Sequence, residues 1–377
     1  MDDFPLCEAC QIEYADPKNR RFHAQTNSCA DCGPRLRLTD RYNKALCPDE
    51  QVIRRATELL VQGNILALKG LGGYQLVCLA MLDAAVLNLR QRKRRKEKPL
   101  AIMVKDISVA HRLCQLNDKE VQALEGKEGP IIIASLRQHS DLSAQITCGL
   151  TELGIMLPTS PLHHLLVQSV NAPLVVTSGN LSGEPIIIDD DLALQKLGEL
   201  CDGFLSHNRR ISHKVDDSVV RIISNRATLF RTGRGFTPSY FRNPLSQRAH
   251  HSDALATGSH SKNTFALLSQ QNLVLSQHMG TLDTPVAFEQ FEAELQFYKK
   301  IHRVREESVL CDKHPDYGST TLAENWPVKK YAIQHHAAHV MACVFENGFQ
   351  GRASVSYTHL TLPTMLAQCR SRWSPYH

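Results

Sequence analysis

Ile65-Leu66-Ala67-Leu68-Lys69-Gly70-Leu71-Gly72-Gly73-Tyr74 reads as a short apolar strand that ends on a lysine and runs into a glycine-rich turn. Glycines let a backbone come close to a ligand, and strand ends are where open α/β sheets place one. The turn is no P-loop, since the Gly-Lys-Ser/Thr ending is missing, and such turns are also met where nothing binds. Upstream, a helix is expected over 50–62, capped by Asp49 and stopped by Gly63, with Val52, Ile53, Ala56, Leu59 and Leu60 as its apolar stripe. Downstream, apolar runs at 100–104, 130–134, 173–177 and 218–223 alternate with helical stretches at 84–93, 160–170 and 192–200. The alternation predicts an α/β (α+β) domain with a mixed, twisted sheet over 48–241.

A segment without periodicity, 242–252, reads as a linker, and a second α/β unit is expected over 253–351. Runs 264–269 and 273–277 alternate as a hairpin. A helix over 285–304 has Thr284 as cap and Pro285 in its first position. Strands at 308–311 and 328–333 follow, the second leading into a helix at 335–345. The stretch 352–377 continues no earlier pattern and reads as a non-native tail, outside functional reasoning.

The 377 residues allow two or three domains, and 42% hydrophobic with 21% charged residues is ordinary for a globular protein. No signal peptide is evident, and no apolar run nears the ~18 residues of a membrane helix, so a cytoplasmic protein without a membrane partner is expected. The formal charge of +5 does not by itself imply nucleic acid. Residues 1–47 are polar and hold Cys7-Glu8-Ala9-Cys10 and Cys29-Ala30-Asp31-Cys32, with eighteen residues between the pairs. Two C-x-x-C pairs offer four thiolates to one ion, so Cys7, Cys10, Cys29 and Cys32 are expected to hold Zn2+ rather than to form disulfides. All four positions being thiolate, the zinc would be structural. The other eight cysteines are scattered and read as reduced thiols.

The remaining chemistry is cationic. The run from Arg90 to Pro99 packs seven basic residues into ten positions. It suits a phosphate site, though a solvated helix end or an RNA patch would read the same. Ser178-Gly179-Asn180 follows directly on the 173–177 strand and offers a hydroxyl and an amide to phosphate or carbonyl oxygens. Arg221, Arg231 and Arg234 add guanidinium forks suited to phosphate. No nucleophile–base pair is evident, so the design suggests a nucleotide held by cations, with catalysis by positioning and charge neutralisation. In the second unit, His335 and His339 stand four apart, so on a helix both imidazoles face one side and can share an ion; an isolated His-x-x-x-His is also met by coincidence.

The order of Lys-Gly-Leu-Gly-Gly-Tyr (69–74), Lys-Arg-Arg-Lys-Glu-Lys-Pro (93–99), Ser-Pro-Leu-His-His-Leu-Leu (160–166), Thr-Ser-Gly-Asn (177–180) and Arg-x-x-Arg-Gly (231–235) closely resembles the YrdC-like domain. Together with Phe22-His23-Ala24-Gln25 and Gln334-His335-His336-Ala337-Ala338-His339, it resembles the HypF-type carbamoyltransferases of [NiFe]-hydrogenase maturation over about residues 4–351. The resemblance implies a zinc knuckle, a YrdC-like domain and the start of an actin-like ATPase (ASKHA) transfer domain. It implies that carbamate, released from a carbamoyl phosphate donor, is joined to ATP with Mg2+ to give carbamoyl adenylate and pyrophosphate, and that the carbamoyl group passes to the C-terminal cysteine of HypE. Carried over, Lys69, Lys98 and Arg234 would be catalytic, and Lys69, Arg94, Lys98, Ser178, Asn180, Arg221, Arg231 and Arg234 would bind nucleotide and substrate. His335 and His339 would hold a second metal. Residues 257–264 resemble the first phosphate turn of the transfer domain, with Ser259-His260 unusual there. Against the family, the chain starts at the second of two knuckles, without the acylphosphatase domain, and stops inside the transfer domain.

Two other readings stand beside this one. YrdC-like domains also serve as threonylcarbamoyl-adenylate synthases for tRNA modification. The knuckle and the 93–98 run would also suit a double-stranded-RNA-binding module, whose affinity would fall steeply with salt; the scarcity of interleaved aromatics argues against single-strand stacking.

Overall fold

The computed structural model describes residues 3–138, 140–181, 183–242, 252–269 and 272–353, so the expected linker from 243 to 251 and the tail from 354 lie outside the described residues. The chain divides into two compact units. One comprises the described residues of Met1–Ser182 and Ile186–Gly235, the other those of Gly183–Pro185 and Phe236–His377.

The larger unit is built on one mixed sheet of β1 (Leu36–Thr39), β2 (Leu66–Lys69), β3 (Tyr74–Leu79), β4 (Ala101–Met103), β5 (Cys114–Gln115), β6 (Ile131–Leu136), β7 (Glu152–Met156), β8 (Leu174–Ser178), β9 (Gly203–His207), β10 (Val219–Ile223) and β11 (Arg226–Arg231). The order is β1-β9-β2-β3-β8-β4-β7-β6-β10-β11, with β5 paired to β6. β2, β3 and β8 are buried along nearly their whole length, as strands covered on both faces must be. The expected strand at 65–68 is β2, and Lys69 still belongs to it.

The sequence reading passes over β3, which follows the glycine turn. Gly70 donates its N–H to the Gly73 carbonyl at 2.9 Å and closes the β2–β3 hairpin. Gly72 is required by close approach, because a Cβ there would stand 2.2 Å from the Val215 carbonyl oxygen. β1 was also unexpected. It pairs antiparallel to β9, so the cysteine-bearing segment is stitched into the larger sheet.

Helix Val52–Val61 lays Val52, Ala56 and Leu60 on the core, the i, i+4, i+8 stripe the sequence announces. Helix Pro161–Val170 starts with proline, and the Ser160 hydroxyl caps it by accepting the His163 N–H at 3.2 Å. Leu162, Leu166 and Val167 of that helix join the same core, which burial of apolar area stabilises at about 25 cal/mol per Å².

The smaller unit carries β12 (Ser239–Arg242), β13 (Ala254–Ala256), β14 (Ala266–Leu268), β15 (Asn272–Leu275), β16 (Ser308–Asp312) and β17 (Lys329–Ile333), in the order β12-β15-β14-β13-β16-β17. β12 pairs with β15, so the boundary expected at 241 falls inside this unit. Helix Pro285–His302 buries Phe291, Leu295 and Tyr298 against Phe265 and Leu267, and its Thr284 cap accepts the Ala287 N–H at 3.2 Å.

Candidate functional site

Alternation along the strands of the larger unit builds a cavity of about 310 Å³ on one sheet face. Residues two apart share a face. Ile131 with Ile133, Glu152 with Gly154, and Val176 with Ser178 therefore line it together, beside Ala101, Leu100 and Val219. Gly154 lets the side chains of the neighbouring strands close in over it: a Cβ there would meet Ile131 Cγ2 at 3.1 Å and Ala101 Cβ at 3.4 Å. That face is thus largely apolar, with Glu152 and Ser178 as its polar members.

The other side is charged. Arg95 and Arg231 line it, and among the described residues neither contacts a carboxylate. Arg95 spends two N–H groups on backbone, donating from Nε to the Lys98 carbonyl at 3.2 Å and from Nη2 to the Pro99 carbonyl at 2.6 Å. Burial, then the neighbouring guanidinium groups of Arg90 and Arg231, push its pKa down to about 10. Arg95 and Arg231 act on each other electrostatically and suit an anion between them, although the cavity is also lined by Glu152, Asp217 and Asp216, the first two paired with Arg221 and Arg234. Beneath them, Lys93 is 1% exposed. Its ammonium donates to the Ser178 carbonyl at 2.5 Å and to the Asn180 carbonyl and Oδ1 at 2.6 Å each. Burial, and secondarily Arg95, lowers its pKa to about 7, with Asp216 pulling the other way.

The polar end holds Gln75, Thr159, His163, Asp217 and Arg234. Arg234 pairs with Asp217 Oδ1 through Nη2 at 2.9 Å and Nε at 3.2 Å, and donates to the carbonyls of Gly129 and Glu128 at 2.8 and 3.2 Å. Its charge is therefore already matched.

The expected residues distribute as follows. Ser178, Arg231 and Arg234 line the cavity. Asn180 lies at its edge, where Oδ1 accepts from the Ser178 hydroxyl at 2.7 Å and from Lys93. Arg221 pairs with Glu152, a cavity residue, without itself lining it. Arg94 and Lys98 are exposed and turned away, and Lys98 contributes its carbonyl to Arg95. Lys69 is buried but not on the cavity wall: its ammonium meets Asp190 at 2.6 Å and the His207 carbonyl at 3.0 Å, and Tyr74 donates to the same Asp190 at 2.7 Å. The sequence reading missed Lys93, Arg95, Gln75, His163 and Asp217. Of the basic run, Arg90 and Lys93 are buried, so that much of it is no solvated face for RNA.

In the cysteine-bearing segment, Cys10 sits in helix Glu8–Ala15, and all four sulfurs lie within 4.8 Å of one another. Sulfur separations of 3.6, 3.7 and 3.8 Å match the ~3.8 Å edge of a tetrahedron with Zn–S bonds of ~2.3 Å. Backbone N–H groups, chiefly that of Cys29, draw the Cys32 thiol down, while burial and the neighbouring sulfurs push Cys10 up, so the four thiols share their protons until a cation takes their place. The four residues fit structural zinc.

In the smaller unit, a cavity of about 360 Å³ is lined by Gly258, Ser259, Lys262, Asp312, His335 and His339. His335 Nδ1 meets Asp312 Oδ2 at 2.6 Å, which leaves its Nε2 facing His339 Nε2 at 3.1 Å. A carboxylate that orients one imidazole, with a second imidazole nitrogen alongside, is a donor set that fits a divalent cation.

The chain matches three family models: the HypF finger over residues 6–39, the Sua5/YciO/YrdC family (telomere recombination) over 58–233, and the HypF Kae1-like domain over 249–346. It is 38% identical over 398 residues to the carbamoyltransferase HypF of Synechocystis sp., covering 92% of this chain and 52% of that protein. It is 38% identical over 351 residues to the carbamoyltransferase HypF of Rhodobacter capsulatus, covering 92% and 46%. The fold superposes on the crystal structure of full-length HypF in the phosphate- and nucleotide-bound form with a TM-score of 0.86, at 36% identity, covering 93% of this chain and 45% of that one. The chain thus spans about half the length of the relatives it matches.

Proposed function

Since the chain belongs to the HypF family across its finger, YrdC-like and Kae1-like domains, we propose that its larger unit joins carbamate to ATP as the activating half of a carbamoyltransferase. A carbamate oxygen attacks the α-phosphorus, the bond to the bridging oxygen breaks, and carbamoyl adenylate and pyrophosphate result. The observation that carries this reading is the pair of neighbouring guanidinium groups, Arg95 and Arg231, on the wall of a cavity whose sheet face is largely apolar. The apolar side chains of that face suit a purine, and the cations suit the phosphates and the charge that gathers on the leaving pyrophosphate.

In this reading Ser178, Asn180 and Arg95 face the phosphates, Lys93 supports them from beneath by holding Ser178 and Asn180, and Arg231 closes the grip. Arg234 is wall rather than grip, its charge being matched by Asp217. Lys69 acts at a distance, by tying β2 to Asp190. Bound Mg2+ would offset phosphate charge. The smaller unit would pass the carbamoyl group to the C-terminal cysteine of HypE, with His335 and His339 holding a divalent cation. Zinc at Cys7, Cys10, Cys29 and Cys32 would fix the finger, and such reduced thiolates suit the cytoplasm.

The test is pyrophosphate release from ATP, Mg2+ and carbamoyl phosphate with an added acylphosphatase. Release without threonine is expected. A strict requirement for threonine would select the threonylcarbamoyl-adenylate reading, towards which 27% identity over 135 residues to the human threonylcarbamoyl-AMP synthase points. No release under either condition, with the fold intact, would overturn both.

A further inference from the structure

His163 has no part in the chemistry above, yet it is 1% exposed and stands at the cavity's polar end. Its surroundings give its hydrogen bonds one direction. The Thr159 backbone N–H approaches Nδ1 at 3.4 Å, and the Thr159 hydroxyl stands 3.2 Å from the same nitrogen. A backbone amide can only donate, so Nδ1 keeps its lone pair and the neutral ring carries its proton on Nε2. That N–H donates to Gln75 Oε1 at 2.8 Å. The amide of Gln75 is thereby oriented, and its Nε2 donates to Asp217 Oδ2 at 3.0 Å. The second oxygen of Asp217 receives Nη2 and Nε of Arg234. Reversing any one link would set donor against donor or acceptor against acceptor.

We propose that His163 is a positioning residue: through Gln75 and Asp217 it fixes the guanidinium of Arg234 on the cavity wall. The relay crosses from helix Pro161–Val170 through β3 to the loop before β10, elements far apart in the sequence. Four of the five Arg234 N–H groups are held by Asp217, Gly129 and Glu128, leaving one on Nη1 for the cavity among the described residues. Its direction is set by the relay. The charged and titratable groups that act on His163 are Asp217, Arg234 and His164. Burial holds its pKa down, to about 4, so the ring keeps the one tautomer the relay needs at neutral pH.

The value of this wall to catalysis rests on the nucleotide reading, but the relay itself can be read without ligand. In protein with nitrogen-labelled arginine side chains, the Arg234 Nε–H resonance is assigned by its loss in Arg234→Lys. Exchange of that proton with solvent is then compared in the wild type, His163→Leu, Gln75→Met and His163→Gln. Leucine fills the space without a donor; glutamine returns an N–H at the position of Nε2; Gln75→Met breaks the chain from the other side should His163→Leu fail to fold. The expected result is exchange at least about tenfold faster in the two breaking variants and within about threefold of wild type in His163→Gln, the loss of one charge-assisted link. Unchanged exchange in the breaking variants, or exchange in His163→Gln as fast as in His163→Leu, overturns the proposal. ATP titration of the same proteins keeps the two readings apart. If wild type binds no ATP but the exchange pattern holds, the relay stands and the nucleotide reading falls. If ATP binds and the pattern fails, the relay falls alone.

Discussion

Proton uptake on nucleotide binding is the sharpest consequence of the buried lysine. Lys93 sits among three neutral acceptors with no carboxylate in contact, and its pKa lies at about 7 against an ordinary value of 10.5. At pH 7.5 such a group is only about one-quarter protonated. One phosphate charge on the order of 7 Å away, at an effective dielectric constant of ~20, favours the ammonium by roughly 2.4 kcal/mol, or about 1.7 pKa units. The bound form would then be about nine-tenths protonated, so roughly 0.7 proton is taken up per nucleotide. The sign follows from the shift: a ligand that raises a pKa binds better at lower pH, so affinity should weaken about fivefold per unit as pH rises through this range. Calorimetric titration with MgATP in buffers of different ionisation enthalpy reads the uptake directly. In Lys93→Met the excess must vanish, whatever other groups contribute to both proteins. Equal uptake in the two proteins, or proton release by wild type relative to the variant, would refute the reasoning.

Arg95→Gln and Arg231→Gln should each weaken pyrophosphate binding by about tenfold, and Arg94→Gln and Lys98→Gln by less than twofold, in a competition titration; equal effects would remove the assignment of the grip. In Gly154→Val the new side chain must push past Ile131 and Ala101 into the cavity's apolar face. ATP affinity should therefore drop by more than about tenfold while pyrophosphate affinity stays within about threefold, since only the base would lie on that face. Cys10→Ser should take zinc content from one ion per chain to near none by elemental analysis and leave the first helix open to limited proteolysis, whereas Cys148→Ser changes neither.

What could be read in advance was whatever repeats locally. The two C-x-x-C pairs declare four ligands by spacing alone, and Val52, Ala56 and Leu60 declare a buried helix face by period. The basic run shows where local reading stops. Helix Asp83–Arg92 buries Val86, Leu89 and Arg90, and Lys93 continues that stripe one turn on, so its inward direction was available from the period. Arg95 was not available in that way. Arg94 adopts a left-handed backbone at φ 53°, which turns the following arginine back to the cavity, and Arg-Arg in a row gives no hint of it. Lys69 misleads for the opposite reason: a lysine at a strand end before glycines looks like a ligand for phosphate, but Asp190 arrives from 121 residues away to claim it. Gln75, His163 and Asp217 meet only because β3, a helix and a loop converge, a long-range fact that no window along the chain contains.

Charge accounting ties these placements together. Arg234 is matched by Asp217 and Arg221 by Glu152, which leaves Arg95, Arg231 and the single carboxylate of Asp216 on the cavity wall without an ion pair among the described residues. A third full charge at Lys93, beside Arg95 and out of water, would cost more than the carbonyls and Asp216 return, and the depressed pKa expresses that balance. A polyphosphate reverses it, because each of its charges then favours the proton on Lys93. The burial that, with Arg95 beside it, holds Lys93 near neutrality before an anion binds is therefore the same feature that makes the site respond to one.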